Sequence, residues 1–166
     1  MIIGIGGVSR SGKTVLARHL ATWLVENGKQ VSVLHQDDLV VDQKLMPKIK
    51  GELDWEHPSS IDYQKIISLI AHQKNQNDYL LVEGLFAFAN EELNKLYDKG
   101  IYLHIDRATF VKRKLEDERW GGEPEWYLDH IWDAHQRYGR PGKVQCQLLH
   151  LRGTDIDFKI AELFIQ

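Results

Sequence analysis

The chain has 166 residues, a formal net charge of −3 and one cysteine, which excludes a polyanion-binding surface built on excess basic charge and any intrachain disulfide. With 43% hydrophobic and 27% charged residues it reads as an ordinary globular fold, long enough to bury a core without a metal or disulfide staple. The N-terminus lacks a basic leader and no apolar run reaches bilayer length, so one cytoplasmic domain over 1–166 is expected, without nucleic-acid or membrane contacts.

Met1–Gly6 is a short apolar run that reads as a buried strand. After a glycine- and serine-rich turn, Val15, Leu16, His19, Leu20, Trp23 and Leu24 recur at helical spacing over Lys13–Asn27, and Asn27-Gly28 supplies the stop. Val31–His35 is a second β-rich run. Asp37–Glu56 shows little period and is expected to be a long functional loop. Ser59 or Ser60 is the expected cap of a helix running to about Gln73, with Ile61, Ile66, Ile67 and Ile70 on its apolar side. Tyr79–Val82 is a third strand ending at Glu83-Gly84, and a short helix at Glu91–Tyr97 leads to a fourth, Ile101–Ile105. A charged helix, Arg107–Arg119, breaks at Gly121-Gly122; Pro124–Tyr138 is a further helix, Val144–Leu151 a fifth strand and Asp155–Ile165 a closing helix. Strands alternating with helices predict an α/β fold of three layers, a five-stranded parallel sheet with helices on both faces.

The segment Gly7-Val8-Ser9-Arg10-Ser11-Gly12-Lys13-Thr14 matches G-x-x-x-x-G-K-[ST] between a strand and a helix, the context this chemistry needs. Gly7 and Gly12 permit a backbone that turns the N–H groups of the loop, Ser9, Arg10 and Ser11 included, toward phosphate oxygens. The helix N-terminus adds its positive dipole end. Lys13 would reach the β- and γ-phosphates of ATP, and the Thr14 hydroxyl would ligate magnesium. Gly4-Ile5-Gly6 lacks the third glycine of a dinucleotide fingerprint, and no Asn-Lys-x-Asp guanine-reading segment is present. Asp37-Asp38 and Glu83 follow the second and third strands, at the carboxyl ends where open parallel sheets bind ligands. Asp37 suits the orientation or deprotonation of an attacking hydroxyl, and Glu83 suits magnesium or its waters.

These segments resemble the nicotinamide riboside kinase and uridine kinase branch of the P-loop kinases over nearly the whole chain. Ile3–Thr14 looks like the family opening, and His35-Gln36-Asp37-Asp38-Leu39 resembles a Gln-Asp-Asp-Phe segment. Leu81–Phe86 resembles Ile-Glu-Gly-Phe, Trp126–Trp132 a Tyr-Phe-Asp-Gly-His-Val-Trp stretch, and Leu151–Thr154 a Leu-Asp-Gly-Thr turn. Trp55-Glu56-His57-Pro58 is similar to the Phe-Asp-His-Pro element of uridine kinases. The resemblance implies a P-loop kinase fold with a small helical lid at about 107–124, Asp37 as base for a nucleoside 5′-hydroxyl, and Glu83 positioning magnesium. It implies Trp55 stacked on the base or nicotinamide ring and Glu56 bonded to ribose hydroxyls. Arg113, Lys114 and Arg119 of the lid would contact ribose or the transferring phosphoryl group, and Trp120 would complete an aromatic sandwich. Arg152 and Thr154 would lie near adenine. Two positions depart from the pattern: Glu56 replaces the usual aspartate, and Glu116 stands where uridine kinases place a lid arginine.

The expected function is transfer of the ATP γ-phosphoryl group, with Mg2+, to a nucleoside. Gln36-Asp37-Asp38 points toward a nicotinamide riboside-like acceptor and His57-Pro58 toward uridine or cytidine. The alternative is a nucleotide-binding regulatory module without transfer, which would need no acceptor-side base. His35, His57, His104, His130, His135 and His150 are expected to be packing or surface residues, since no converging metal spacing is present. Trp23, Trp126 and Trp132 are expected in the core, and Cys146 as a buried small hydrophobe in the fifth strand. The oligomeric state and the choice between ATP and GTP are left open.

Overall fold

A computed structural model of the chain describes residues 1–117 and 124–166. Its strands are β1 (Ile2–Gly7), β2 (Val31–His35), β3 (Lys48–Ile49), β4 (Glu52–Leu53), β5 (Tyr79–Gly84), β6 (Lys99–His104) and β7 (Gln147–Arg152). Its helices are α1 (Lys13–Glu26), α2 (Tyr63–Gln73), α3 (Glu91–Asn94), α4 (Arg107–Leu115), α5 (Glu125–Ala134) and α6 (Phe158–Ile165). Five strands form one parallel sheet in the order β2-β5-β1-β6-β7, and β3-β4 is a separate antiparallel hairpin.

Alternation along the strands sorts side chains onto two faces. Ile3, Ile5, Leu81, Ile101 and Leu103 pack with Leu16 and Leu20 of α1 and Ala161 and Ile165 of α6. Leu80, Val82 and Tyr102 pack with Ile66 and Ile70 of α2 and Leu93 of α3. Both faces are therefore covered, which is why the central strands read as continuous apolar runs. The expected three-layer α/β fold with a five-stranded parallel sheet is the observed one. A smaller cluster of Val8, Phe110, Leu128 and Ile131 joins the loop after β1 to α4 and α5.

Topology places the site. β1 leads through α1 to the edge strand β2, whereas β5 leads to β6 on the opposite side of β1. This reversal of direction opens a crevice at the strands' carboxyl ends. Register pairs Gly6 with Gly84 and His35 with Glu83, so the loops after β1, β2 and β5 emerge side by side.

Several boundaries differ from the sequence expectation. The 37–56 segment is not wholly irregular: Gln36–Asp38 form a 3-10 turn and the β3-β4 hairpin turns at Lys50 and Gly51, both at positive φ. Asp62, not a serine, caps α2, its side chain accepting from the Lys65 N–H, because Pro58–Ser60 form their own 3-10 turn. α4 ends at Leu115, and α5 stops at Ala134 before a π-turn over His135–Gly139. β7 starts at Gln147, so Cys146 precedes it and is only half-buried. α6 starts at Phe158, where Asp157 provides the cap. Trp23 and Trp132 are half-buried at the margins of the packed clusters rather than inside them, and Trp126 is half-buried outside all of them. No helix among the described residues is long and apolar enough to cross a membrane.

Candidate active site

The loop after β1 is built on backbone conformations that side-chain-bearing residues avoid. Gly7 and Gly12 have φ of 148° and 102°, and Arg10 adopts φ 63°. The Ser11 N–H closes the turn on the Val8 carbonyl at 3.1 Å. Nζ of Lys13 donates to the same carbonyl at 3.0 Å, which holds the ammonium within the loop. Burial pulls the Lys13 pKa down, opposed by the carboxylates of Glu83, Asp37 and Glu56. The Ser11 hydroxyl is buried without a hydrogen-bond partner among the described residues. α1 begins at Lys13, so its positive end and unpaired N–H groups face this loop.

α4 grips the loop from outside. Nη1 of Arg113 donates to the carbonyls of Arg10 at 2.9 Å and Gly153 at 3.0 Å. The Arg10 guanidinium pairs with Asp117 at 3.2 Å. The structure thus directs both arginines to packing around the phosphate loop, and Arg113 does not line the cavity described below.

Glu83, at the end of β5, is buried. Its Oε1 accepts from the Thr14 hydroxyl at 3.0 Å and from Nδ1 of His35 at 2.6 Å. Oε2 takes no hydrogen bond from the described residues. A hydroxyl and a carboxylate converging this way beside the phosphate loop are hard oxygen donors that suit Mg2+, which usually takes its remaining ligands from phosphate and water. The histidines supply no competing site: among the described residues no group of three or more His, Cys, Asp or Glu side chains could hold a metal. His135 is buried against the Tyr102 hydroxyl at 2.8 Å, and desolvation, with Lys13 adding to it, lowers its pKa to about 3. His104 and His150 pair with each other at 2.6 Å.

Asp37 stands at the exposed edge of the 3-10 turn after β2. Partial desolvation pushes its carboxyl above the usual range; Lys13 pulls the other way, while Glu83 and Asp38 add to the rise. The preceding residue fixes this turn. Gln36 is buried, its Oε1 accepting from the Phe86 N–H at 3.1 Å, so the segment after β2 is fastened to the segment after β5.

A cavity of about 530 Å³ opens between these loops, lined by Ser9, Asp37, Val40, Trp55, Glu56, Ser60, Ile61, Leu85, Phe86, Lys114 and Tyr127. The structure brings Asp37, Trp55, Glu56 and Lys114 together here with Ser9 of the phosphate loop. Arg152 and Thr154 lie elsewhere, exposed on either side of Gly153. Arg119 and Trp120 lie outside the described residues, so the expected aromatic sandwich with Trp120 has no structural description; Phe86 and Tyr127 are the other rings among the described lining residues. Sequence reading also passed over His35 and His130 as packing residues. His35 is bonded to Glu83, and Nε2 of His130 donates to Asp54 at 2.8 Å. The signal for His35 was its place at the end of a strand, directly before Gln36-Asp37-Asp38.

No protein-family model matches the chain. A uridine kinase of Chlamydia pneumoniae is 26% identical over 181 aligned residues, covering 90% of this chain and 80% of that one. Nicotinamide riboside kinase 2 of Mus musculus is 28% identical over 160 residues, covering 84% of this chain and 80% of its own. A solved structure described as a possible uridine kinase, from Bacillus stearothermophilus, matches with a TM-score of 0.54 at 21% identity, covering 89% of this chain and 88% of that one, and bears on the fold alone. Across most of its length the chain is similar to uridine kinases and to a nicotinamide riboside kinase, and it has the three-layer fold of the phosphate-loop kinases.

Proposed function

We propose that this ATP-dependent phosphotransferase moves the γ-phosphoryl group onto the 5′-hydroxyl of a nucleoside held in the cavity beside Asp37. One observation carries the reading. Asp37 lines the same cavity as Trp55 and Glu56 and interacts electrostatically with Lys13 of the phosphate loop. A base, a ring platform and a diol acceptor therefore share one opening with the residues that grip phosphate.

The residues divide the work by chemistry. Backbone N–H groups of Ser9, Arg10 and Gly12 and the Lys13 ammonium hold the triphosphate and meet the charge that develops on it, while the Ser11 N–H keeps the loop turned. Asp37 accepts the proton as the acceptor's O–H bond breaks, the freed oxygen attacks the γ-phosphorus, and the bond to the ADP oxygen breaks. Its raised pKa makes it a stronger base than an ordinary aspartate. Trp55 and Tyr127 offer aromatic faces to a flat ring, and Glu56 accepts from ribose hydroxyls. Thr14 and Glu83 would hold Mg2+, which would supply positive charge to the phosphates. Lys114 and the lid residue Arg119 are the proposed cations on the transferring group, and Arg152 with Thr154 the proposed adenine-side contacts.

Among the described residues the cavity is lined by the rings of Trp55 and Tyr127 and by the carboxylates of Asp37 and Glu56 beside Lys114. Aromatic faces attract a cationic ring such as that of nicotinamide riboside more strongly than a neutral pyrimidine. The test is ADP release with ATP and Mg2+, measured with nicotinamide riboside, uridine, cytidine or no acceptor. Release that depends on a nucleoside is expected. ATP binding without nucleoside-dependent release would favour a regulatory module and overturn the proposal.

A further inference from the structure

Asp54 belongs to none of the motifs above, yet it is tied at four points. Its N–H donates to the Pro47 carbonyl at 2.8 Å, and its own carbonyl accepts from the Ser60 hydroxyl at 2.6 Å. Its Oδ1 accepts from the Glu56 N–H at 3.0 Å and from Nε2 of His130 at 2.8 Å. Asp54 is buried and the His130 side chain is 20% exposed, so water competes poorly for this bond, unlike a bond at an open surface.

A second contact runs beside the first. Nζ of Lys50, in the β3-β4 turn, lies 3.9 Å from the ring centroid of Trp126, one helical turn before His130 on α5. Both contacts join the 48–56 segment to α5. The cavity walls flank them: Trp55 and Glu56 follow Asp54 directly, and Tyr127 is on the His130 side of α5, their rings 5.9 Å apart. A shift of α5 relative to the hairpin would therefore move Tyr127 relative to Trp55 and Glu56.

We propose that the Asp54–His130 hydrogen bond is a strap that sets the spacing between the hairpin-side wall and the α5-side wall of the cavity. Asp54 and His130 are then positioning residues that determine how tightly a nucleoside fits. The inference rests on the cavity being the acceptor site. Binding energy gained equally in ground and transition states appears in KM and not in kcat, which defines the expected signature.

The experiment compares His130→Leu, which removes the donor, with His130→Gln, whose amide nitrogen can reach the same carboxylate, and with Trp55→Ala as a test of the cavity. Nicotinamide riboside and uridine serve as acceptor probes. Hydrogen exchange over residues 47–57 is followed in parallel and needs no acceptor. His130→Leu is expected to raise the acceptor KM about tenfold, with kcat and the ATP KM within about twofold, and to speed exchange over 47–57. His130→Gln is expected to restore both. An unchanged acceptor KM in His130→Leu, beside a raised one in Trp55→Ala, overturns the strap and leaves the cavity assignment standing. No effect in either variant overturns the cavity assignment and the strap together. An equal rise in the ATP KM, or unchanged exchange over 47–57, also overturns the strap.

Discussion

The Thr14 hydroxyl donates to Oε1 of Glu83 across 3.0 Å, although 69 residues separate the two in the chain. The parallel register of β1 and β5 creates this contact, and the pairing of β2 with β5 brings His35 to the same oxygen. Glu83 is thus oriented from two sides before any ligand enters.

Removing one of those donors is expected to loosen magnesium. His35→Leu should raise the Mg2+ concentration for half-maximal turnover roughly tenfold, in the range typical of lost outer-shell support for a metal ligand. His35→Asn, whose side-chain nitrogen stands close to the position of Nδ1, should stay near wild type. Titration of Mg2+ in an ADP-release assay and in calorimetry with ADP checks this; matching curves for His35→Leu and wild type would remove His35 from the site.

Asp37→Asn keeps the shape of the turn but cannot accept a proton. Its kcat should fall about 10²- to 10⁴-fold, the usual reach of general-base catalysis, while the ATP KM stays within a few-fold. Steady-state kinetics with the responding nucleoside decides it, and turnover equal to wild type would discard the base assignment.

The raised pKa of Asp37 also sets pH behaviour. A base works when ionised, so kcat/KM should fall as pH drops through a pKa above the ordinary aspartate value of about 3.9. Stability runs the other way. The folded protein binds this proton more tightly than the unfolded chain, so the contribution is present below the unfolded pKa and lost as pH rises through the folded one. At neutral pH the ionised carboxylate is therefore a net destabilising group, and Asp37→Asn should melt higher than wild type. A pH–rate profile and thermal melts at pH 7 test the two halves; a lower melting temperature for Asp37→Asn would contradict the second.

Gly153 is fixed by close approach. A Cβ there would lie 2.2 Å from the Ser11 carbonyl oxygen of the phosphate loop, a backbone atom with no rotamer to escape into. Gly153→Ala should cost about 1–3 kcal/mol in stability, as overpacking does. It should also raise the ATP KM, because the displaced atom belongs to the loop that holds phosphate. Denaturant melts and ATP titration test this, and wild-type values in both would show that the loop yields freely.

Much of this protein was legible locally. The phosphate loop is a contiguous pattern whose spacing and flanking strand and helix follow from one turn's geometry. Asp37 and Glu83 were singled out because ligands sit at strand ends in parallel sheets, and the five sheet strands were found because buried runs are apolar. The two-residue strands of the β3-β4 hairpin were too short to show a period. The α2 cap was misplaced because several adjacent residues could serve, and the 3-10 turn of Pro58–Ser60 decided among them.

The sequence by itself determined the fold class, the phosphate loop and the acids at the strand ends, because each depends on neighbours within a few residues. Only the tertiary structure decided that Arg113 grips the carbonyls of Arg10 and Gly153, that Tyr127 joins Trp55 in one cavity, and that His35 meets Glu83 and His130 meets Asp54. Those two histidines reach carboxylates 48 and 76 residues away. Such pairings depend on strand register and on the rotation of a helix about its axis, which are set by how all the layers pack at once.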